Sequence, residues 1–273
     1  MKSIFVIMSK DRAMQLNAMM SSFRKHCLDI DKISKYVIYK TTSKIHKEQY
    51  KYLQRESPDF IFIEETSIVE QICNLCRTIE YFSIQVDDNI YISDFIVSEA
   101  ITILQNDKNI LGYSYRLGSN ITYCYMLDRY MNQPDFIPIE NQHLSFNWIG
   151  QNDDFGYPLE CSSSLYRTRQ ILPFIFLHKG ASAQMIEAYL DTHKKEFVKT
   201  PLLACPTVSK VMSIPVNEVS TMNNRIGVKY RYTSDELATK FSLGERIDIQ
   251  KLEGFIPNAP HVEVEFSFIK GTL

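Results

Sequence analysis

Regular alternation of short apolar runs with amphipathic stretches over the first 116 residues predicts an α/β fold, with a mostly parallel sheet flanked by helices. Two further observations shape that expectation. The pair Asp87-Asp88 closes one apolar run, residues 82–86, and precedes another, Ile90-Tyr91-Ile92, so two adjacent carboxylates stand at a strand end. After Arg116 the alternation stops and a loop-rich, aromatic-rich C-terminal region follows. Residues 1–273 therefore read as one α/β unit, with a first half at 1–116 and a second at 117–273.

Residues 4–8 are β-branched and apolar and read as the first core strand. Asp11 is placed to cap a helix running through His26, with Met14, Leu16, Ala18, Met19 and Phe23 at roughly helical spacing. Residues 36–39 form a second strand, residues 44–55 a Lys-rich helix and residues 60–63 a third strand. Thr66 or Ser67 can cap the next helix, which buries Ile68, Ile72, Leu75, Cys76 and Ile79. The strand ending at Asp87-Asp88 follows, then a helix over 98–105 and a strand over 110–115. Residues 120–156 read as loop. Further on, residues 158–166 suit a strand returning to the sheet, 168–174 and 182–196 helices, and 207–214 a strand. The tail offers a short helix near 235–240 and an extended stretch over 262–269.

Charge is nearly balanced, at 30 Lys and Arg against 32 Asp and Glu, which argues against a nucleic-acid partner. Its distribution is uneven. Residues 24–55 hold nine basic side chains and three acids, a solvated helix face that also allows peripheral contact with an anionic membrane. Residues 56–107 hold eleven acids and one basic residue, Arg77, a setting that attracts cations. No run is apolar and long enough to span a bilayer, and the N-terminal run is too short for a signal peptide. Six cysteines without a secretory leader imply reduced thiols in the cytoplasm. Cys73 and Cys76 have redox or zinc spacing but lie within a helical pattern without a second pair, which favours a structural role.

Two carboxylates at a buried strand end cost desolvation and mutual repulsion unless a cation or hydrogen bonds compensate. Mg²⁺ and Mn²⁺ use such ligands, commonly one or two carboxylates with substrate phosphates. The alternative is a solvated turn, which Asp and Asn also favour. In parallel sheets ligands bind beyond the carboxyl ends of the strands, where Asp87 and Asp88 lie.

Four segments together resemble nucleotide-sugar-dependent glycosyltransferases of the GT-A type, in particular bacterial family-2-like enzymes. They are the opening Ile4-Phe5-Val6-Ile7-Met8-Ser9-Lys10-Asp11-Arg12-Ala13-Met14-Gln15-Leu16; Val86-Asp87-Asp88-Asn89; Gly156-Tyr157-Pro158-Leu159 with Tyr166-Arg167; and the pair Ile214-Pro215-Val216-Asn217 and Asn258-Ala259-Pro260-His261. The resemblance implies a GT-A-like, Rossmann-type sheet whose first half binds the nucleotide sugar and whose second half faces the acceptor. It also implies a divalent cation, Mn²⁺ or Mg²⁺, at a DxD-like motif. The third position of that motif is Asn89 where the family has Asp, which keeps a carbonyl oxygen but loses a charge.

On this basis Asp88, Asn89 and His261 are the expected metal ligands, with Asp87 on the donor. Arg12, directly after the first strand, and Arg77 are the expected diphosphate contacts, Arg77 having a surface pair with Glu80 as its other reading. Inversion needs a base for the acceptor hydroxyl, for which Asp154, Asp153 and Glu187 are candidates, with Glu160 behind them. Trp148 and nearby tyrosines suit sugar stacking or core packing. The implied activity is transfer of a sugar, from a UDP-sugar first among donors, to a glycan, lipid-linked or other cell-surface acceptor in polysaccharide assembly, at the cytoplasmic side of a membrane. Two other classes fit the residues. A nucleotidyltransferase shares the acidic sheet edge, although Ser9-Lys10-Asp11-Arg12 lacks a glycine-rich phosphate loop. A non-catalytic binding module on the same fold is the other.

Overall fold

A computed structural model describes residues 2–178, 182–217 and 225–271. The first half follows the expected alternation: β1 (Ser3–Lys10), α1 (Ala13–His26), β2 (Ile33–Lys40), α2 (Lys44–Glu56), β3 (Ile61–Glu64), α3 (Ile68–Cys76), β4 (Tyr81–Val86), the short β5 (Asn89–Tyr91), α4 (Val97–Asn106) and β6 (Ile110–Tyr113). The second half holds β7 (Tyr123–Cys124), β8 (Arg129–Tyr130), β9 (Ile137–Ile139), β10 (His143–Asn147), β11 (Leu165–Arg167), α5 (Thr168–Leu177), α6 (Ala183–Thr192), β12 (Leu202–Pro206), β13 (Val211–Ser213), α7 (Ser234–Ser242), β14 (Glu245–Ile247) and β15 (Phe268–Lys270).

Nine strands form one sheet in the order β3-β2-β1-β4-β11-β6-β12-β10-β9. Following the pairings across it, seven of the nine run in one direction, and only β11 and β10 oppose them. The second half thus inserts β11 between β4 and β6 and places β12 beside β6, so the sheet takes strands from both sides of residue 116. Alternation within β1 divides the interior. Phe5 and Ile7 face a core shared with α1, α2, α4 and α7, whereas Ile4, Val6 and Met8 face one shared with α3, α5 and α6. Among the described residues no helix is long and apolar enough to cross a membrane, and all six cysteines are free thiols.

Several expected elements take a different form. Asp11 does not cap α1: it sits at φ 53° and its carboxylate accepts the Thr42 N–H at 2.8 Å and the Thr42 hydroxyl at 2.7 Å, tying the β1 turn to the end of β2. Ser67 holds the N-cap position of α3 without a side-chain cap bond, and the Gln71 carboxamide accepts the Thr66 and Ser67 N–H groups instead. The supposed loop over 120–156 contains the β9–β10 hairpin at the sheet edge, where Pro138 is tolerated because an edge strand leaves one side unpaired. The expected strand over 207–214 is split. Its sheet partner is the earlier β12, and β13 leaves to pair with β5.

Phe23 is the centre of the first core, with its ring 5.3 Å from Phe5, 5.1 Å from Tyr91 and 5.9 Å from Phe95, and 1 % exposed. Phe23→Ala is expected to cost about 3–5 kcal/mol, since four ring contacts, Phe60 being the fourth, are lost and a cavity is left. By contrast Leu28→Ala, at 60 % exposure, should stay within about 0.5 kcal/mol. Urea unfolding of the two variants beside the parent chain tests the contrast.

Candidate active site

β1 and β4 are parallel neighbours in register, so their carboxyl ends reach the same edge of the sheet. There Asp87, 3 % exposed, accepts hydrogen bonds from the Ser9 hydroxyl at 2.7 Å, the Lys10 N–H at 3.3 Å and Arg12 Nη1 at 3.0 Å. The same Nη1 lies 3.3 Å from Asp88 Oδ2. Tyr50 reaches over from α2: its hydroxyl meets the Ser9 hydroxyl and accepts the Arg12 N–H at 3.2 Å. From the segment after β13, the Asn217 carbonyl accepts Arg12 Nη2, and the Asn217 side chain accepts Gln15 Nε2 at 3.0 Å. Arg12, Gln15 and Asn217 are all buried, yet among the described residues Arg12 Nε, Gln15 Oε1 and Asn217 Nδ2 have no hydrogen-bond partner.

A second cluster lies beyond the carboxyl end of β6, at the same edge of the sheet. Arg116, 4 % exposed, directs Nη2 to Asp154 at 3.6 Å and Nε to Glu160 at 3.9 Å. Glu160 is caged by serines, accepting the Ser162 hydroxyl at 2.7 Å, the Ser163 N–H at 3.0 Å and the Ser164 hydroxyl. Glu187, on α6, faces the Cys161 amide and the Tyr157 hydroxyl. Asn89 joins the two clusters: its amide donates to Gln85 Oε1 at 3.1 Å and to the Ser162 carbonyl, while its oxygen accepts the Ser213 hydroxyl at 2.7 Å.

These surroundings push the carboxyls in opposite directions. For Glu160 desolvation is outweighed by Arg116 and the serine donors, which together hold it below the usual carboxylate range. Glu187 is moved mainly by desolvation, with the charge of Glu160 adding to it, and rises to about 7 despite Arg116. Asp154 is also raised, by desolvation and then by its acidic neighbours, against the pull of Arg116. Burial raises Asp88 too, with Arg12 opposing and Asp87 adding. For the His261 imidazole, desolvation and then the Arg116 charge push it down to about 3, so it is neutral at physiological pH.

The structure brings together most of the residues singled out in the sequence. Arg12, Asp87 and Asp88 touch one another, and Asp154 and Glu187 share the influence of Arg116. His261 reaches the same region through a parallel bridge to Ser213, which pairs with Asn89. Asp153 lies next to Asp154 but forms an ion pair with Arg129. Arg77 is elsewhere: it is exposed at the C-terminal end of α3, ahead of β4, so the six residues of that strand, about 20 Å, separate it from Asp87. Trp148 is core, with its indole N–H donated to the Thr200 carbonyl at 2.8 Å. Arg116, Tyr50 and Gln15 were not anticipated as site residues. For Arg116 a signal was present, a lone arginine at the carboxyl end of a buried strand. For Tyr50 and Gln15 only tertiary contact reveals the role.

A hard divalent cation needs oxygen donors free to approach it at close range. Here both carboxylates are paired with the Arg12 guanidinium, and the Asn89 oxygen accepts Ser213 in a position 1 % exposed. Among the described residues no group of three or more His, Cys, Asp or Glu side chains could hold a metal ion. As arranged, the expected set of Asp88, Asn89 and His261 does not fit one.

No protein-family model matches the chain. A curated relative, the bifunctional glycosyltransferase pgtA of Dictyostelium discoideum, is 29% identical over 187 residues, which cover 61% of this chain and 24% of the relative. The chain thus spans about a quarter of that protein's length. Among solved structures, the TarS 1-349 fragment of S. aureus superposes with a TM-score of 0.47 at 12% identity, over 77% of this chain and 58% of that one. The same fragment in complex with UDP-GlcNAc gives 0.45 at 13% identity, over 70% and 54%. The mannosyltransferase PcManGT of Pyrobaculum calidifontis, in complex with GDP-Man and Mn²⁺, gives 0.40 at 12% identity, over 63% and 46%. The fold described above stands on the chain's own strand order.

Because the Glu187 carboxyl binds its proton more tightly in the folded chain than in the unfolded one, its contribution to stability is complete below about pH 4.5 and is lost as the pH rises through about 7. Glu187→Gln, which cannot ionise, should match the parent chain near pH 5 and melt roughly 2–4 °C higher at pH 8, the expectation for about 1 kcal/mol once solvent screening of this half-buried side chain is allowed for. Thermal melts across that range test the sign. A Gln variant that gains nothing at pH 8 contradicts the environment described for Glu187.

Proposed function

We propose that this protein is a glycosyltransferase that moves a sugar from a nucleotide-diphosphate donor to a hydroxyl group of a glycan, a lipid-linked saccharide or another cell-surface acceptor. The observation that carries this reading is the pair of charged clusters at the carboxyl edge of the sheet. It sets an Arg12–Asp87–Asp88 corner, suited to a diphosphate, next to Glu187, a carboxyl held near neutrality. The sequence similarity to a relative named as a glycosyltransferase supports the same reading.

Transfer breaks the anomeric C–O bond through an oxocarbenium-like state, with negative charge growing on the leaving diphosphate. Guanidinium groups match phosphate oxygens in charge and geometry, and Arg12 is fixed at the strand edge for that contact. Asp87, oriented by Ser9 and the Lys10 amide, holds Arg12 in place and is the side chain assigned to the donor. On the acceptor side Glu187 is the best base. With its carboxyl near 7 it is partly ionised at physiological pH and gains a proton readily from a hydroxyl, as general base catalysis requires. Arg116 keeps part of the Glu187 population charged. Asp154 is the second candidate, but Arg116 faces it directly at 3.6 Å, and Asp153 is committed to Arg129. A base acting on the acceptor hydroxyl corresponds to inversion at the anomeric carbon.

The test is a panel of UDP-, GDP-, CMP- and dTDP-sugars, with nucleotide release and product mass as readouts. At least one donor should be consumed. Glu187→Gln should lower kcat by about 10²–10⁴. The parent enzyme's kcat should rise with pH along a limb with midpoint near 7, because the base acts in its ionised form, and the variant should lack that limb. If Glu187→Gln turns over at the parent rate, the base is another residue. If no nucleotide sugar is bound or consumed, the transferase reading fails.

A further inference from the structure

The Arg12–Asp87–Asp88 corner departs from a metal site in one particular respect: its cation is part of the chain. Arg12 is 9 % exposed and its recorded ion pairs are with Asp87 and Asp88 alone among the described residues. Its guanidinium is anchored from the far side by the Asn217 carbonyl, and its own N–H is held by Tyr50. A divalent cation bridging the two carboxylates would have to displace the guanidinium from Asp87, the more deeply buried of the pair. Yet Arg12 is not saturated. Among the described residues its Nε–H is buried without an acceptor, and the side-chain N–H of Asn217, whose carbonyl it holds, is also unpartnered. Buried donors left unmade are costly, and two of them on residues in contact with each other favour an oxygen acceptor close to the guanidinium.

We propose that Arg12 is the resident cation of this site, neutralising Asp87 and Asp88 in place of a metal and setting its positive charge toward the diphosphate of the donor, so that nucleoside diphosphates bind without a divalent metal. This inference rests on the donor class proposed above and replaces the metal expected at the DxD-like motif by a side chain. A guanidinium supplies a fixed charge and directional donors, which position the diphosphate as a bidentate partner.

Calorimetric titration of UDP and GDP into the full chain, in EDTA and then in Mg²⁺ or Mn²⁺, tests it. The nucleotide that binds should do so in EDTA, with a Kd within about threefold of its value in metal. Arg12→Met should weaken that binding by about 30-fold or more, the scale of losing one partner of a buried charged contact. Should Arg12→Met fail to fold because two carboxylates are left unpaired, Arg12→Met with Asp88→Asn removes one of them, and circular dichroism confirms that the double variant is folded before titration. Loss of binding in that variant carries the same meaning. Binding that appears only with metal, or that persists in EDTA after Arg12 is replaced, overturns this inference while leaving the transferase reading intact. No binding of UDP, GDP or, titrated in the same way, dTDP under any metal condition overturns this inference, and the transferase reading falls with it if the full nucleotide-sugar panel is also refused.

Discussion

Two adjacent carboxylates at the end of a buried strand lose hydration and repel each other, and the site could not exist without a compensating charge. Arg12 provides it, and much of the surrounding structure follows from keeping Arg12 where it is. The chain leaving β1 turns at Asp11, in a left-handed conformation stabilised by Thr42, so that Arg12 projects across the end of β4. Tyr50 from α2 and Asn217 from the segment after β13 then fix it from two sides. Residues far apart in sequence thus depend on one ion pair. Because breaking a buried pair leaves an uncompensated charge, each of these contacts is also a condition on the fold.

The second cluster solves the opposite problem, one cation among several acids. Arg116 cannot hold Asp154, Glu160 and Glu187 equally ionised, and the protein divides them by hydrogen bonding. The serines at 162–164 supply donors to Glu160, which keeps its charge. Glu187 receives fewer donors and feels the charge of Glu160, and so retains its proton to a higher pH. Environments that push neighbouring carboxyls apart are how one cluster holds both a permanent anion and a proton acceptor.

The legibility of the sequence follows the same physics. The β-α alternation through Tyr113 was readable because long amphipathic helices and β-branched strands carry strong periodicity. The position of Asp87 and Asp88 followed from it. β9, β10 and β12 were not readable, being three to five residues long, with β9 interrupted by Pro138 and β12 bounded by Pro201 and Pro206, so that they lack a period to detect. Asn89 and Glu187 could be placed in sequence, but their roles depend on Ser162, Ser213 and Arg116, which only the folded chain brings near. Arg77 was misplaced for a simpler reason. It precedes β4, and the site lies at the other end of that strand.

Asn89 shows how closely the two clusters are joined. β5 and β13 pair over only three residues, with Asn89 opposite Ser213, and a ribbon that short has little of its own to hold its register. The Asn89 side chain supplies the missing constraint. Its amide must donate, because the groups facing it, the Gln85 and Ser162 carbonyl oxygens, are acceptors, while its oxygen receives the Ser213 hydroxyl. The orientation of Gln85 is fixed in turn by the Tyr91 hydroxyl, which donates to its oxygen at 2.8 Å, and by the Ser83 hydroxyl on its nitrogen side. An aspartate at position 89 would direct a carboxylate at two carbonyl oxygens in a position that water does not reach. The departure from the DxD pattern is therefore explained by what Asn89 touches: asparagine stands here because the ribbon needs a donor, and through Ser162 that donor ties the donor-side corner to the cage around Glu160.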